Sequence, residues 1–397
     1  YYSTKGDIMK KFFTRDGMGV NLLRKKSILT IIITKEKTTA KYLTRLESIP
    51  ESTRKNKRIA ATKFQEFCKK QHKMTPDALC KELLIMKKQN EQEYTDTLYD
   101  ILQEWIIDSS KKINPNSLRT EFSGVRAYIY YFGIKTDTQD INQLLSFPRI
   151  QREEKYPLKH KELFKIINDQ SRNKVRKALY LACSSSGMRI GEALQIKKSD
   201  LEFKERIQIN IRPEYTKTQT GRSVFVSKEC QQTLEVYLDG LESDDTVFYD
   251  GVSENVKISA SNEARRIRES LDRLGLGMKY GTSDRNKITT HSLRAFFFTQ
   301  AVRKHGENYA HRLTGHGGYL MQYDRMNDEE KLKMYIELEP ELVVFDTSKQ
   351  NLEIEKLKSE QSKEMQEMKN EMEQMKLQLA QQGMNILKKL RKENKLD

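Results

Sequence analysis

The chain has few cysteines and no long apolar run. Its four cysteines stand singly, without paired spacing, which argues against a zinc site or a disulfide framework and suits a reducing compartment. No stretch reaches the roughly 18 apolar residues that a membrane-spanning helix needs. The apolar run at 27–33 is short and rich in β-branched residues, which indicates a strand or a buried segment. The chain opens on Tyr1 without Met or a signal-peptide pattern, so we expect its natural start to be missing and the protein to be cytoplasmic.

Positive charge, by contrast, is abundant. Lys and Arg outnumber Asp and Glu by 72 to 56, which gives a formal net charge of +16. Such a field favours a polyanionic partner, DNA or RNA before an acidic membrane surface. A length of 397 residues exceeds one ordinary domain and predicts two domains with appendages.

Periodicity and composition divide the chain into five segments. Residues 41–147 have a helical pattern that ends in a helix expected at 117–132. Within residues 161–346, strands are expected at 207–211 and 223–226. The fold class is therefore mainly α with a small antiparallel β-sheet, an α+β protein. The segments are a basic N-terminal stretch without an assigned role (1–40), a helical domain (41–147), a linker between prolines (148–160), a second domain (161–346) and a tail (347–397).

A cluster of basic residues stands out in the helical domain. Arg54, Lys55, Lys57 and Arg58 lie within five consecutive positions. A single lysine usually belongs to a solvated surface, but this accumulation makes the four residues candidates for DNA binding.

The tail repeats apolar residues at coiled-coil spacing. Steps of three and four residues separate Met365, Met368, Met372, Met375 and Leu379. Ile354 and Ile386 fall in the same register, which favours a coiled coil over disorder. Gly383 weakens the helix near its end.

The first chemical motif is Gly187-Met188-Arg189-Ile190-Gly191-Glu192, which follows three serines. The planar fork of Arg189 can hold two phosphate oxygens at once. Glu192 lies three residues later and shares a helix face with Arg189. Taken alone, the pair is better explained as a surface ion pair.

The second motif is His291-Ser292-Leu293-Arg294, near the start of a helix that Thr289 or Thr290 can cap and Gly306 can end. The apolar side of this helix should leave His291 and Arg294 together on a polar face. A histidine at a helix start is often only a capping residue. The helix N-terminus itself attracts an anionic phosphate.

The third motif is Thr314-Gly315-His316, followed by Tyr319, Tyr323 and Tyr335. Glycines around His316 permit a close backbone approach to a ligand, although a glycine-rich turn with an incidental histidine has the same pattern. Together the motifs supply two guanidiniums, two imidazoles and a phenol, which suffice to break a phosphodiester without a metal.

In this order, the motifs resemble the tyrosine recombinase (phage integrase) family over roughly residues 41–345. The resemblance implies that Arg189 and Arg294 are the catalytic arginines, that Glu192 orients the site, and that His291 and His316 assist. Thr314 departs from the leucine that the family usually has before Gly-His. The short spacing after His316 and the sequence Gly-Gly-Tyr-Leu resemble archaeal and archaeal-virus members.

The resemblance also implies the nucleophile and the general acid. Tyr323 is the expected nucleophile, because Tyr319 lies too close to His316 and Tyr335 stands in a pattern typical of a packing helix. Lys217, in the turn between the two expected strands, matches the lysine that the family uses as general acid. A turn lysine that is merely solvated is the alternative.

The family implies a site-specific recombinase that cuts and rejoins DNA through a 3′-phosphotyrosyl intermediate, without a metal or other cofactor. Its implied partners are double-stranded DNA and copies of itself in a synaptic tetramer, with no membrane, on the nucleoid of a prokaryote or on viral DNA. The nearest alternative is a type IB topoisomerase. Two others are a non-catalytic DNA-binding protein that retains the fold and a coiled-coil scaffold with a basic body.

Overall fold

The computed structural model describes residues 37–248, 255–315 and 326–393. It consists of two compact units, 1–152 and 153–397. The division falls inside the segment 148–160 that we interpret as a linker, while the roles assigned to the five segments stay predictions. The expected apolar segment at 27–33 lies outside the described residues.

All regular elements in the described part of unit 1 are helices. The helix expected at 117–132 begins two residues earlier, since the side chain of Asn114 accepts a hydrogen bond from Ser117 N at 2.9 Å and Pro115 occupies the first turn. Gly133, with φ of 108°, ends it. The helices are α1 (Thr39–Arg45), α2 (Glu51–Phe67), α3 (Pro76–Gln89), α4 (Glu91–Ser110), α5 (Pro115–Phe132) and α6 (Thr138–Leu144).

The core of unit 1 depends on a close approach of α2 and α5. A Cβ atom on Gly124 of α5 would lie 2.5 Å from Cβ of Ala60 on α2, so only glycine fits there. Trp105 of α4 and Tyr128 of α5 are among the largest fully buried side chains of the core that these helices share.

Unit 2 surrounds a small sheet with helices, which confirms the predicted fold class. Three strands pair antiparallel in the order β1 (Leu201–Phe203), β2 (Ile207–Ile211) and β3 (Arg222–Phe225), with Ile209 between Leu201 and Val224. The helices are α7 (His160–Asp169), α8 (Lys174–Ser186), α9 (Ile190–Ala193), α10 (Lys228–Leu238), α11 (Val256–Arg273), α12 (Thr290–Thr314), α13 (Asp328–Leu338) and α14 (Asp346–Glu393).

Helix α8 lies at the centre of unit 2. Its residues from Ala178 to Ser186 are all buried, and it packs against α10 and α12. Because α8 is surrounded by these helices, the turn that follows it is held inside the unit. The first chemical motif begins in that turn.

Helix α12 carries the second motif and is interrupted, as predicted, at Gly306. This glycine has φ of 82° and ψ of 175°, so two helical segments meet there. At the start, Thr289 N donates to Ser292 Oγ at 3.0 Å, which caps the helix. None of the described helices is apolar over a length that would cross a membrane.

Candidate active site

The turn after α8 is built on Gly187. Its φ of 70° is left-handed, and a Cβ atom there would overlap the ring of Phe297 and lie 2.9 Å from Cγ2 of Thr314. The turn therefore packs directly on α12, and no other residue fits without displacing these side chains. Arg189 lies two residues after Gly187, at the N-cap position of α9.

Glu192 is the carboxylate around which the site is organised. It is 2% exposed and accepts hydrogen bonds from Arg189 Nη1 at 2.6 Å and Arg189 N at 3.0 Å. Arg222 Nη2 donates to Glu192 Oε2 at 2.6 Å, the oxygen that also accepts from Arg189 N. Burial by itself raises the pKa of Glu192, but the hydrogen bonds and charges of Arg222 and Arg189 outweigh it, so the pKa lies below its usual value. The interpretation as a surface ion pair is wrong, because the carboxylate is buried.

Arg294 is buried, whereas we predicted it on a polar face of its helix. It is 2% exposed, and its guanidinium donates to the carbonyl of Gly187 and to that of Thr314, each at 2.6 Å. The prediction was wrong because α12 packs against several elements, namely α8, α11, α13 and β3. Burial, followed by the charge of Arg189, lowers the pKa of Arg294 to about 10, which leaves it a cation at neutral pH.

His291 lies one helical turn before Arg294 and is exposed. Partial loss of solvation lowers the pKa of its imidazole, and the positive charges of Arg294 and Arg189 lower it further. The ring is therefore neutral at pH 7 and can accept a proton. The two arginines and this histidine thus come close enough to influence one another's charge.

Arg222 is a member of the site that the sequence did not identify. Besides its bonds to Glu192, its Nε donates to the carbonyl of Leu313 at 2.7 Å. A Cβ atom on Gly315 would lie 2.9 Å from Arg222 Nη1, so the end of α12 packs against this guanidinium. Its one sequence signal is its position at the end of the turn that holds Lys217, which by itself indicates nothing.

Thr314 stands where the family usually has leucine, and the structure explains how a threonine is accommodated there. Its side chain is fully buried, and its hydroxyl donates to the carbonyl of Ala310 at 2.6 Å within the same helix. The hydroxyl therefore has a hydrogen-bond acceptor within its own helix, and a threonine can occupy a buried position here.

Lys217 lies in the turn between β2 and β3, as expected, and is exposed. The turn is organised by buried Thr216, whose hydroxyl donates to Pro213 O at 2.9 Å and accepts from Thr220 N at 3.0 Å. This local network fixes the turn and leaves the lysine on its outer side. Its role as general acid stays a prediction.

His316, Tyr319 and Tyr323 lie outside the described residues, so their roles remain predictions. Tyr335 is described and is fully buried on α13, where its hydroxyl donates to the carbonyl of Ser185 at 2.9 Å. Burial raises its pKa well above the usual value. Tyr335 is thus a packing residue, as its sequence context predicted.

The basic cluster of unit 1 lies on α2. Arg54 donates to Glu47 at 2.8 Å, and Arg58 also pairs with Glu47. Lys55 is exposed and Lys57 half-buried. Exposed ion pairs of this kind contribute little free energy, so a phosphate could displace Glu47. DNA binding by these four residues stays a prediction.

The described residues were also compared with the arrangements that bind metals or form disulfides. Across the described ranges, no three His, Cys, Asp or Glu side chains come together as a metal-binding group. All four cysteines are buried thiols.

Comparison with known proteins identifies the class of unit 2. Residues 156–319 match the phage integrase family. This range includes Arg189, Lys217, His291, Arg294 and His316. Residues 156–319 therefore form a domain of the phage integrase family, which confirms the predicted resemblance for this part of the chain.

Several solved structures are similar to this chain. A XerA recombinase is 22% identical with a TM-score of 0.35, covering 76% of this chain and 98% of its own. A lambda integrase dimer bound to a COC′ core site is 15% identical with a TM-score of 0.44, covering 74% and 100%. A XerH recombinase bound to difH substrate is 18% identical with a TM-score of 0.40, covering 59% and 69%. No curated protein is significantly similar to the chain.

Proposed function

We propose that this protein is an enzyme that cuts and rejoins double-stranded DNA at specific sites through a 3′-phosphotyrosyl intermediate. The observation that carries the proposal is the position of Arg294. Its guanidinium bonds to Gly187, two residues before Arg189, and to Thr314, two residues before His316. One buried cation thus connects all three motifs.

In this reaction the arginines act on the scissile phosphate. Arg189, whose side chain is 35% exposed and held by Glu192, can reach a ligand. Arg294 adds a buried positive charge next to the turn that carries Arg189. Fixed cations in a poorly solvated site stabilise the extra negative charge of the transition state without reorganising. His316 is the further proposed donor.

The covalent step conserves the ester bond. The phenol oxygen of Tyr323 attacks phosphorus and gives its proton to His291, whose lowered pKa keeps it neutral at pH 7. The bond from phosphorus to the 5′-oxygen breaks, and Lys217 protonates that oxygen. A 5′-hydroxyl of another strand then reverses the step, so the proposed cycle uses no metal or nucleotide cofactor.

The proposed partners are duplex DNA and other copies of this chain in a synaptic tetramer, which places the protein on DNA in the cytoplasm. The net charge of +16 and the basic cluster of α2 support a polyanionic ligand. The XerH structure holds that protein on its difH substrate, and the lambda integrase structure holds that protein on a COC′ core site.

The test is covalent capture of DNA by the full chain. Nicked duplexes with randomised sequence are incubated with the wild-type protein and with Tyr323→Phe, and covalently bound DNA is isolated under denaturing conditions and sequenced. We expect an adduct enriched in one sequence for the wild type. Tyr323→Phe should give none, because it lacks only the nucleophilic oxygen, yet should still bind DNA.

Each of the other outcomes would point to a different function or to a different nucleophile. An adduct without sequence preference would indicate a topoisomerase, and DNA binding without any adduct would indicate a non-catalytic protein. Tyr319→Phe is the matched control, since it removes the same oxygen from a neighbouring tyrosine. Loss of the adduct in Tyr319→Phe, with Tyr323→Phe active, would transfer the role to Tyr319.

A further inference from the structure

Helix α14 exposes a row of apolar side chains along its length. The 48-residue helix leaves each of them between 48% and 67% exposed. They recur at the first and fourth positions of a seven-residue repeat, the a and d positions of a coiled coil. The members are Ile354, Met365, Met368, Met372, Met375, Leu379 and Ile386.

Charged residues flank the row in a pattern that depends on orientation. In the same repeat, Glu364 and Glu371 occupy g positions, and Lys369 and Lys376 occupy e positions. In a parallel pair each g position faces the e position five residues later in the other helix. Glu364 would then face Lys369 of the second copy, and Glu371 would face Lys376.

The antiparallel arrangement has the opposite charge pattern. There, g positions face g positions and e positions face e positions, so glutamate would meet glutamate and lysine would meet lysine. Like charges at these positions oppose pairing. The charges of α14 are therefore complementary for parallel pairing with an identical helix.

We propose that α14 pairs in parallel with the α14 of a second copy of this chain, with 365–379 as the core of the contact. The partner helix is that of another copy, because each α14 supplies both the glutamates at g positions and the lysines at e positions. The contact is short, and methionine packs adaptably, so pairing depends on high local concentration. Neighbouring copies on one DNA would supply this concentration, and this last step alone rests on the proposed function.

The first test is disulfide cross-linking of the full chain. In a parallel pair residue 368 faces itself across the seam, close enough for a disulfide. Met368→Cys should cross-link into a dimer about tenfold faster than Gln366→Cys, an equally exposed position on the outer face. The four native thiols are buried and should not compete.

Cross-linking is measured with and without duplex DNA, and selective cross-linking at 368 in either condition supports the pairing. Equal rates at 368 and 366, or none in both conditions, would overturn it. The covalent DNA adduct is measured in the same samples. An adduct without selective cross-linking would refute the pairing while leaving the proposed function intact.

The second test addresses orientation. In the Met368→Cys protein, the double change Glu364→Lys and Glu371→Lys places lysine opposite lysine and should slow cross-linking. Mixing it with a Met368→Cys protein that carries Lys369→Glu and Lys376→Glu should restore cross-linking between the two. If charge reversal has no effect on the rate, the parallel register is wrong.

Discussion

At the scale of single residues, the site depends on a carboxylate with two cationic partners. The spacing of Arg189 and Glu192 in sequence was enough to predict their contact. Arg222 lies 30 residues from Glu192, and only the pairing of β2 with β3 and the packing of α12 bring it there. A sequence pattern cannot show such a partner, because nothing local distinguishes Arg222 from a solvated arginine.

We predict that Arg222→Met lowers the rate of DNA cleavage about 10- to 100-fold, by analogy with the partners that orient metal-ligating side chains. Affinity for DNA should change little, since it is distributed over many phosphate contacts. Because Arg222 helps to lower the pKa of Glu192, its removal raises that pKa. The loss should therefore be larger at pH 5.5 than at pH 8, measured by single-turnover cleavage.

Arg222→Lys provides the matched control. It keeps a cation beside Glu192 and should restore part of the activity and most of the normal pH profile. A loss of equal size at both pH values in Arg222→Met, with no recovery in Arg222→Lys, would indicate a purely structural role.

At the scale of elements, regular patterns were predictable and exceptions to them were not. The alternation of Ile207, Ile209 and Ile211 predicted β2 with its observed bounds. The short helix α6 was missed because its seven residues include none that is buried. Arg294 was misplaced because a helix packed on several sides has no single polar face.

The hairpin between β2 and β3 gives a prediction for Lys217. Lys217→Ala should slow cleavage of a normal duplex, because the leaving 5′-oxygen then lacks its acid. A duplex with sulfur at the 5′-bridging position should recover much of the rate, since a thiolate leaves without a proton. Arg189→Ala is the control, because it acts on the phosphate and sulfur should not rescue it. Equal defects on both substrates would remove Lys217 from the acid role.

Helix α10 holds the segment that leads into α14 through a buried carboxylate. Glu229 accepts hydrogen bonds from Val344 N at 2.9 Å and Phe345 N at 3.2 Å. Burial raises its pKa to about 7 despite these bonds. Its pKa in the unfolded chain is lower, so the folded state binds the proton more tightly.

The stability that Glu229 contributes is therefore present at low pH and is lost as pH rises through about 7. Glu229→Gln does not titrate. Relative to this variant, wild-type unit 2 should gain up to about 3 kcal/mol of unfolding free energy between pH 8 and pH 5, measured by calorimetric unfolding of both proteins at each pH. A difference that stays constant over this range would contradict the prediction.

At the scale of the whole molecule, composition and order of motifs predicted the class, because a phosphoryl-transfer site needs several cations from distant segments. They could not predict how those segments meet. The left-handed turn at Gly187, packed on Phe297, brings the first and second motifs together, and this contact exists only in the folded unit.

The tail gives the last prediction. Phe345 is anchored on unit 2 by its backbone bond to Glu229, by its ring contact with Phe164 at 5.4 Å between centroids, and by Lys177, whose Nζ lies 4.6 Å from the ring centroid. Ending the chain after Asp346 therefore removes α14 while keeping this anchor. We expect the shortened protein to form the covalent adduct at a single site as the full chain does.

Pairing of two sites should be impaired in the same protein, because the tails no longer add an attraction between neighbouring copies. Gel shift with two labelled duplexes separates single-site binding from joint complexes, and adduct yield on each duplex serves as the internal control. If the shortened protein joins two sites as efficiently as the full chain, α14 does not contribute to synapsis and its parallel pairing must serve another association. Loss of the single-site adduct would instead show that α14 supports the fold of unit 2.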